Sequence, residues 1–527
     1  MSVAARGPCD EAILRATEPS PSGRAASRWV LAATILGSSM AFIDGTVVSV
    51  ALPVLQKDLE ASVSSVQWVV EAYALFLASL VLVGGSLGDR FGRRRVFTIG
   101  IAVFAASSAA CALAPDVRAL VAARAVQGIG AALVVPSSLA ILGAAFSSRE
   151  RGRAVGTWSS LTAVAGVIGP VAGGWLVQVA SWRAVFFVNL PIAAVILAIA
   201  LRKVPETRNP SAGPLDLPGA FAATIGLAAL VYGLIEASGA GWSDPRVWAS
   251  LAAGALALAA FVVIERRSAH PTVPLDLFQV RAFAGANLLT LFLYAALSAT
   301  FFLLPFELIQ AQGYSPSEAG AAILPLIVLI SALSRPAGAI ADRIGPRVLL
   351  TVGPAIAAAG FFLLAVPHDD PRFVTALLPA LSVLGLGMAM TVAPLTATVL
   401  NAVGERDTGT ASGINNAVAR VAGLLAIAAF GVVASYVFDR ALDRRLSESG
   451  LAAVASKIPA AERHKLGAAQ APPDLSEPER QRAQKAIAAA LVDSFRVSMK
   501  ISAALALLSS ACALVFIPSQ RRALNPG

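Results

Sequence analysis

Three charged side chains stand inside apolar stretches, where their chemistry is most informative. Asp44, Glu71 and Arg124 each interrupt a hydrophobic run long enough to cross a membrane. An ionised carboxylate is costly in hydrocarbon, so Asp44 must be protonated part of the time, paired, or in contact with water. A side chain that carries protons must be able to exist in both its protonated and its ionised form, which these conditions allow. The alternative is a structural role in which Asp44 only exchanges hydrogen bonds with neighbours such as Thr46.

Arg124 and Glu71 lie in the same part of the chain as Asp44. An arginine in a membrane span needs a partner, and its charge would help a nearby carboxyl to release its proton. Simple structural pairing of Arg124 is the alternative. Glu71 lies only about 7 Å from the nearer membrane interface, at a helical rise of about 1.5 Å per residue. A snorkelling or pore-rim acid therefore explains Glu71 as well as proton coupling does.

Four further polar residues are candidates for lining a substrate cavity: Gln127, Asn415, Asn416 and Arg420. The last three stand in a span otherwise composed mainly of Ala, Val and Gly. Arg420 is about eleven residues from the end of that span, which places it near mid-membrane by the helical rise. It is either a substrate contact or a paired structural arginine.

The composition of the chain excludes a soluble globular protein. Of its 527 residues, 57% are hydrophobic and 14% are charged, against about 25% charged residues in ordinary soluble domains. The mean hydropathy is +0.73. The net charge of +10 is not gathered into one basic patch, so no nucleic-acid partner is expected.

Several catalytic and cofactor chemistries have no motif in the sequence. The three cysteines and three histidines show no metal-ligand spacing, so neither a metal site nor a disulfide framework is expected. The chain has no GxxxxGK[ST] phosphate loop, which argues against ATP-driven transport. No cofactor is expected, and the energy for transport must come from an ion gradient.

The apolar runs predict an all-α integral membrane protein with fourteen transmembrane helices. The helices are two six-helix pseudo-repeats with two inserted central helices. They are expected near 29–52, 66–88, 95–114, 119–145, 153–179, 184–202, 216–236, 247–264, 283–308, 318–341, 348–366, 373–399, 409–437 and 496–518.

The basic residues predict the orientation of the bundle. Sixteen of them lie in loops after even-numbered helices and only five in the short loops on the other face, so the even loops and both termini are expected in the cytoplasm. The predicted units are a cytoplasmic tail (1–28), an N-terminal six-helix bundle (29–202), a linker with two extra transmembrane helices (203–282), a C-terminal six-helix bundle (283–518) that includes an extracytoplasmic loop (438–495), and a second cytoplasmic tail (519–527).

An internal repeat supports the division into two halves. The stretch GSLGDRFGRR (Gly85 to Arg94) recurs as GAIADRIGPR (Gly338 to Arg347), with an offset of 253 residues at five matching positions. The same offset aligns RAVGTWS, which starts at Arg153, with RDTGTAS, which starts at Arg406. Parallel six-helix repeats are a recurrent architecture of secondary transporters.

These motifs resemble those of the fourteen-helix drug:proton antiporter branch of the major facilitator superfamily. The matching stretches are DGTVVSVALP from Asp44, GSLGDRFGRR, RAVQGIGAA from Arg124, GPVAGG from Gly169 and SWRAVFFVNLP from Ser181. The chain departs from the branch at Ala165, where the antiporter motif usually has Gly, and at Glu71, where relatives more often have an uncharged residue.

The resemblance implies roles for two more groups of residues. Gly85, Asp89, Arg90, Gly92, Arg93 and Arg94, with Asp342 and Arg343 in the repeat, correspond to a cytoplasmic gate. The resemblance implies that Asp89 and Arg93 form a latch between the halves, near the start of the thirteenth helix at Asp407. Gly169, Pro170, Gly173 and Gly174 correspond to the antiporter motif, although close helix packing alone explains a GxxxG pattern.

The leading functional hypothesis is a proton-coupled exporter of amphipathic or cationic small molecules such as drugs. Its partners would be a small-molecule substrate, protons and the lipid bilayer, and it would act as a monomer in the plasma (inner) membrane. The alternatives are a dedicated exporter of an endogenous metabolite or lipid, a membrane-embedded enzyme acting on lipid-linked substrates, and a channel. A membrane-embedded enzyme of that kind would need paired carboxylates or a histidine cluster at one membrane interface. The three histidines, His270, His368 and His464, all lie in loops.

Overall fold

The computed structural model describes residues 24–146, 148–208, 216–268, 271, 273–366, 373–404 and 408–518. Fourteen long helices run through these ranges. They are α1 (Arg24–Asp58), α2 (Val63–Phe91), α3 (Arg93–Ala112), α4 (Val117–Ala145), α5 (Ser148–Val179), α6 (Ala184–Phe187 and Asn189–Lys203), α7 (Leu217–Gly239), α8 (Pro245–Arg267), α9 (Arg281–Phe306, continued by the π-helical turn Glu307–Ala311), α10 (Pro316–Ala322 and Leu324–Ile344), α11 (Pro346–Ala365), α12 (the π-helical turn Phe373–Leu377 and Leu378–Asn401), α13 (Thr408–Glu448) and α14 (Glu477–Phe516).

The expected membrane fold is confirmed, and the protein is a multi-pass membrane protein. Thirteen of the described helices are long and apolar enough to cross a bilayer. The remaining one, α5, carries the shorter apolar stretch Val164–Val179.

The two halves repeat the same helix packing. In α1–α6, α2 and α3 pack against α4, and α1 packs against α5. The equivalent pairs in α9–α14 are α10 and α11 against α12, and α9 against α13. The repeat extends to the backbone: Gly92 and Gly345, 253 residues apart, both join two helices with a positive φ, of 114° and 89°. Only glycine adopts this conformation without strain.

The inserted helices α7 and α8 form a pair that spans the seam between the halves. α7 packs against both α2 and α13. A small apolar cluster joins the three helices and contains Leu75, Leu227, Val231, Ile235, Leu424 and Ala428. The pair therefore contacts both halves.

The bundle has two ends that differ in sequence and structure. The motif end carries the Asp89 motif, and the loop end carries the connection between α13 and α14. At the loop end both helices run beyond their predicted limits, so they cover the segment expected as a loop over 438–495 except for 449–476. That remaining connection contains only short helical segments, Ala452–Ala455, Ala460–Arg463 and Leu466–Ala468. A capping box of Ser476 and Glu479 starts α14 early, and Arg445 pairs with Asp493 across the two helices at 2.9 Å.

Contacts between the halves lie at the loop end. Gln310 Nε2 donates to Gln56 Oε1 at 2.9 Å, and Gln67 Nε2 donates to the Ile427 carbonyl at 2.8 Å. The connection 449–476 adds two more contacts, because the Val63 amide donates to the carbonyl of His464 and Gln56 Nε2 to that of Lys465. The halves are thus joined at this end of the bundle.

Candidate functional site

A buried polar cluster lies inside the N-terminal half and is built from four helices. α1 supplies Asp44, and α4 supplies Arg124 and Gln127, which are three residues apart and so share a helix face. α3 supplies Ser108, and the second segment of α6 begins with Asn189. All five side chains are buried, with Asp44 0% and Arg124 1% exposed.

Both carboxylate oxygens of Asp44 accept hydrogen bonds. Arg124 Nη1 lies 2.5 Å from Oδ2, and Oδ1 accepts from Gln127 Nε2 at 2.9 Å and from Asn189 Nδ2 at 3.0 Å. Asn189 Nδ2 also donates to Ser108 Oγ at 2.9 Å. This arrangement balances a buried carboxylate with one positive charge and two amide donors, which a buried ion pair requires.

Arg124 is held in place by more than its charge. Its Nη1 also donates to Gln127 Oε1 at 2.6 Å, and its Nε donates to the Val69 carbonyl at 3.0 Å. The guanidinium carbon lies 4.2 Å from the centre of the Tyr73 ring. A planar guanidinium can stack and donate in several directions at once, which an ammonium group cannot.

The alternative in which Asp44 forms a hydrogen bond with Thr46 is wrong. Thr46 Oγ1 donates to the carbonyls of Phe42 and Ile43 on its own helix. Asp44 is instead paired with Arg124. Protonation of Asp44 would remove this ion pair and leave Arg124 without its acidic partner, so the charge state of Asp44 is linked to the packing of α1 against α4.

The sequence did not single out Asn189 and Ser108 of this cluster, nor Tyr73, whose ring lies beside Arg124. Asn189 lies within the SWRAVFFVNLP stretch, and its position after an apolar run was the available signal. Ser108 and Tyr73 carry no such signal, because serine and tyrosine are common in apolar helices. Gln127 was expected in a substrate cavity, but it bonds to Asp44 and Arg124 inside this cluster.

Glu71 is fully buried, so the alternative of a snorkelling acid is wrong. Neither of its carboxylate oxygens has a hydrogen-bond partner among the described residues. One turn away on either side of it along α2, Gln67 bonds to α13 and Leu75 packs with Leu424 and Ala428 of α13. Glu71 thus lies on the face of α2 that meets the other half. A buried carboxyl without a partner is stable only in the neutral form.

The gate motif forms its contacts within the N-terminal half. Arg93 Nε donates to Asp89 Oδ1 at 2.8 Å, one turn apart along the chain. The Arg94 amide donates to the Glu206 carboxylate at 3.0 Å, and a Cβ on Gly92 would lie 2.7 Å from that carboxylate.

In this structure Asp89 and Arg93 pair with each other, and neither forms a hydrogen bond or ion pair with a described residue of the C-terminal half. Asp407, their expected neighbour in the other half, lies outside the described residues. Asp342 and Arg343 occupy the equivalent end of α10, and Arg90 lies 5.7 Å from the Phe91 ring.

The glycines of the antiporter motif allow close approach to two different helices. A Cβ on Gly169 would overlap Thr46 of α1, and one on Gly173 would overlap Val47. Gly174 faces α10 instead, against the carbonyl of Pro316, and the carbonyl of Pro170 fits against Gly320 of α10. One turn of α5 thus connects α1, which carries Asp44, to the opposite half.

A central cavity of about 410 Å³ lies between the halves. The N-terminal half contributes Gly45, Thr46, Ser49, Val50, Val70, Gly166 and Pro170, and the C-terminal half contributes Leu297, Ser298, Phe301, Phe302, Ile323, Leu326, Ile327, Ile330, Ser331 and Ile427. The walls are mostly apolar with a few hydroxyls, which suits an amphipathic molecule. Gly45 and Thr46 follow Asp44 directly on α1, so the cavity adjoins the polar cluster.

The other residues expected in a substrate cavity do not line this one. Asn415 donates to Asn287 Oδ1 at 3.1 Å and to Thr290 Oγ1 at 2.8 Å. Asn416 donates to the carbonyl of Ser412 on its own helix. The prediction for both asparagines is therefore corrected.

Arg420 is half-buried on α13 and does not line the central cavity. Its side chain has no hydrogen bond or ion pair to any residue that the structure describes. It is therefore not a paired structural arginine here. Within the same described ranges, no group of three or more His, Cys, Asp and Glu side chains could hold a metal ion.

The family model described as Major Facilitator Superfamily matches residues 34–427. The chain belongs to this superfamily. It is accordingly a transporter rather than an enzyme, and its substrates are small molecules.

Two relatives match most of the chain. The chain is 34% identical to the multidrug resistance protein Stp of Mycobacterium tuberculosis, over 80% of this chain and 78% of that protein. It is 32% identical to the tetracenomycin C resistance and export protein of Streptomyces glaucescens, over 92% of this chain and 90% of the relative. The family resemblance inferred from the motifs is confirmed.

A solved structure shares the fold. It is a bacterial homologue of the human lysosomal transporter Spinster in an inward-facing, unoccupied conformation. The TM-score is 0.61 at 18% identity, covering 94% of this chain and 100% of that one.

Proposed function

We propose that this protein is a proton-coupled exporter of amphipathic or cationic small molecules, drugs among them, and that it works by alternating access. The buried Asp44–Arg124 pair is the observation that carries the proposal, since an intramembrane ion pair beside a cavity suits a group that gains and loses a proton. The two relatives support it, because one is named as a multidrug resistance protein and the other as a resistance and export protein.

The contacts of α1 suggest how protonation moves the halves. Asp44 lies on the helix that packs against Gly169 and Gly173 of α5, and the same turn of α5 packs against Pro316 of α10. When Asp44 takes up a proton, it loses its ion pair with Arg124, and the preferred position of α1 changes. The change passes through α5 to the contact with the C-terminal half, which biases the equilibrium between the two access states.

Glu71 is proposed as a second proton-coupling group. Its buried carboxyl has no hydrogen-bond partner among the residues that the structure describes, with the halves joined at the loop end, so this state favours the neutral acid. Opening the loop end would separate α2 from α13 and admit water, which allows Glu71 to ionise. Proton binding at Glu71 would then favour closure of that end.

The driving force is sufficient for concentrative export. The membrane potential supplies about 2.3 kcal/mol per charge per 100 mV, and each pH unit adds about 1.4 kcal/mol. One proton entering the cell could therefore drive the export of a neutral solute with both contributions. For a monovalent cation exchanged one for one, only the pH difference contributes, because no net charge crosses the membrane.

The orientation and location follow from the same proposal. The motif end, with its many arginines, faces the cytoplasm together with both termini, and the protein lies in the plasma (inner) membrane. The Asp89–Arg93 pair acts at the cytoplasmic gate by fixing the turn between α2 and α3. Both proposed proton sites and the motif belong to one chain, which suits a protein that functions as a monomer.

The test is gradient-driven accumulation of a fluorescent cationic dye in everted vesicles. Asp44→Asn is nearly isosteric and mimics the protonated form, so we expect it to abolish uphill transport while leaving downhill exchange and folding intact. Glu448→Gln removes a charge from an exposed acid at the loop end and is the matched control. Uphill transport with normal pH dependence in a well-expressed Asp44→Asn variant would overturn the role of Asp44.

A further inference from the structure

A cavity of about 370 Å³ lies inside the C-terminal half, at the loop end of the bundle. We call it the α9–α14 pocket. Its walls come from the ends of α9 and α11, the start of α12, and α14. It shares no described lining residue with the central cavity. The lining residues with the most informative chemistry are Glu307, Gln312, Leu377, Phe495 and Arg496.

Two π-helical turns border the pocket. Glu307–Ala311 ends α9, and Phe373–Leu377 begins α12. Glu307 and Ala311 line the pocket from the first turn, and Leu377 lines it from the second. Turns of this kind are uncommon and occur frequently at functional sites. The backbone therefore departs from a regular α-helix on two walls of the same cavity.

Two buried oxygen atoms of the lining side chains have no hydrogen-bond donor. Glu307 is only 4% exposed, and its Oε1 accepts a hydrogen bond from Gln312 Nε2. Its other oxygen, Oε2, and the amide oxygen of Gln312 have no hydrogen-bond partner among the residues that the structure describes. Buried acceptors without a donor are costly. A ligand that donates hydrogen bonds to them would lower that cost.

The positive charge of the pocket is also free to bind a ligand. Arg496 lines the pocket from α14, and its Nη1 lies 3.8 Å from Asp493 Oδ1, beyond hydrogen-bond distance. Asp493 is already bound by Arg444 and Arg445, at 2.9 Å each. Arg496 donates no hydrogen bond to any described residue, and it does not form an ion pair with Glu307. The pocket thus holds a carboxyl group and a guanidinium that are not paired with each other.

These groups together define the chemistry of a ligand. An ammonium group has three N–H donors and a positive charge, which complement the free oxygens of Glu307 and Gln312. A carboxylate complements the guanidinium of Arg496, which can donate two parallel hydrogen bonds to it. Leu377 and Phe495 provide apolar walls. An amine or a carboxylic acid alone would use only one of the two charged groups, so the complementary ligand is a compact zwitterion with an apolar side chain.

We propose that the α9–α14 pocket binds a small organic zwitterion of the amino-acid type. Its ammonium group lies at Glu307 and Gln312, and its carboxylate lies at Arg496. The volume of the pocket is within the range of about 300–1,000 Å³ that is typical of small-molecule sites. The π-helical turn of Glu307 also carries Gln310, which contacts Gln56 of the other half, so the ligand binds next to a contact that joins the halves. The inference concerns binding and does not rest on the proposed export function.

The test uses three molecules that share one apolar chain. Leucine carries both charged groups, 3-methylbutylamine carries only the ammonium group, and 4-methylpentanoate carries only the carboxylate. Each is titrated by calorimetry against the purified full-length protein in phosphatidylglycerol nanodiscs, whose lipid head group contains no ammonium, and the signal of empty nanodiscs is subtracted. Leucine should bind at least tenfold more tightly than either of the other two molecules.

Two substitutions examine the two ends of the ligand separately. Glu307→Gln removes the negative charge and keeps an oxygen that can accept from Gln312, so the structure of the turn is retained. It should weaken leucine binding at least tenfold, weaken binding of the amine, and not weaken binding of the acid. Arg496→Gln should also weaken leucine binding at least tenfold, but it should weaken binding of the acid and not that of the amine.

An exposed ion pair at the start of α14 supplies the matched controls. Glu477 and Arg480 lie 2.8 Å apart there, with side chains that are 64% and 48% exposed. Glu477→Gln and Arg480→Gln make the same two charge changes outside the pocket, so the affinities for all three molecules should stay at the wild-type values. Thermal unfolding of each variant reports its folding.

The outcomes separate this site from the proposed function. Absence of leucine binding to the wild type, or unchanged leucine affinity in both pocket variants, would overturn the site, since water alone could then occupy the pocket. Equal losses for the amine and the acid in either variant would also overturn it. Asp44→Asn should bind leucine with wild-type affinity although it does not pump. If Asp44→Asn still pumps uphill while leucine binding depends on Glu307 and Arg496, the role of Asp44 falls and the zwitterion site stands.

Discussion

At the scale of single residues, the site combines one carboxyl that is fully paired and one that is not paired at all. Asp44 has three donors around it, whereas Glu71 has no described partner. The two acids are therefore suited to different parts of a cycle. An ion pair and amide donors offset the cost of burying a carboxylate at Asp44, whereas a charge at Glu71 would be buried without such compensation.

This difference gives a prediction for Glu71. A neutral, unbonded acid can be replaced by an apolar group of similar size with little loss of stability, so Glu71→Leu should unfold within about 1 kcal/mol of wild type. If Glu71 binds a proton in the cycle, the variant should move fewer protons per substrate. The measurement is proton uptake against substrate efflux in reconstituted vesicles.

Glu71→Gln is the matched variant that keeps the polarity and removes the titration. It should show the same reduced proton ratio as Glu71→Leu. Wild-type stoichiometry in both variants would make Glu71 a structural residue, with coupling left to Asp44 alone.

Residue chemistry predicted part of the site and left part of it open. Asp44 and Arg124 were found because they are isolated charges in apolar runs. A charged side chain in hydrocarbon is energetically costly and therefore usually has a functional role. The partner set was not predictable, since Asn189 and Ser108 are small polar residues on other helices whose neighbours depend on the tertiary packing. The prediction that Asn415 and Gln127 line the substrate cavity was wrong for the same reason. A helix has several faces, and the sequence alone did not show which face meets the cavity.

At the scale of elements, the α5–α10 contact brings the backbones of the two halves together. Backbone meets backbone there, because Gly174 lies against the carbonyl of Pro316 and Gly320 against that of Pro170. Neither carbonyl can move aside as a side chain would. Any side chain at these glycines must push the two helices apart.

We therefore predict that Gly174→Ala disfavours the state joined at the loop end. Its Cβ would also lie 2.8 Å from the Pro316 carbonyl carbon and 3.0 Å from Ser317 Cα, so α5 and α10 must separate. Transport should fall at least tenfold, and a cysteine at position 310 should react faster with a membrane-impermeant maleimide. Alanine favours a helix over glycine by about 1 kcal/mol, so poorer helix formation cannot be the cause.

Gly143→Ala is the control, because a Cβ at that position of α4 would meet nothing within 4 Å. It should transport normally. If Gly174→Ala left both transport and the maleimide labelling at position 310 unchanged, the contact between α5 and α10 could relax without cost. That contact would then not govern opening of the loop end.

The elements themselves were largely predictable, and their limits were not. The positions of the helices follow from apolar runs, and the turn at Gly92 and its repeat at Gly345 follow from a motif that needs a positive φ. The early start of α14 was missed because its first turns are polar and alanine-rich. Such a segment is helical through its capping box and its packing against α13, which a hydropathy count does not register.

At the scale of the whole molecule, the repeat in the sequence predicted two halves but not the state in which they are found. The same helices can meet at either end of the bundle, and the choice depends on small differences in contact energy. Here Gln56 and Gln310 join the halves at the loop end. Alternating access requires this contact to break in every cycle.

The last prediction tests that requirement directly. Gln56 and Gln310 are replaced by cysteines in a background free of the native cysteines, and the pair is joined by a short thiol crosslinker. Because the two side chains are within hydrogen-bond distance, crosslinking should be efficient in the described state, stop uphill transport, and be reversed by a cleavable linker. Asp58 and Arg183 supply the matched control pair, since their side chains lie 3.1 Å apart at the same end but within one half. A crosslink there should leave transport intact, because no movement between the halves is blocked. Full transport with the 56–310 crosslink in place would contradict alternating access through opening of the loop end.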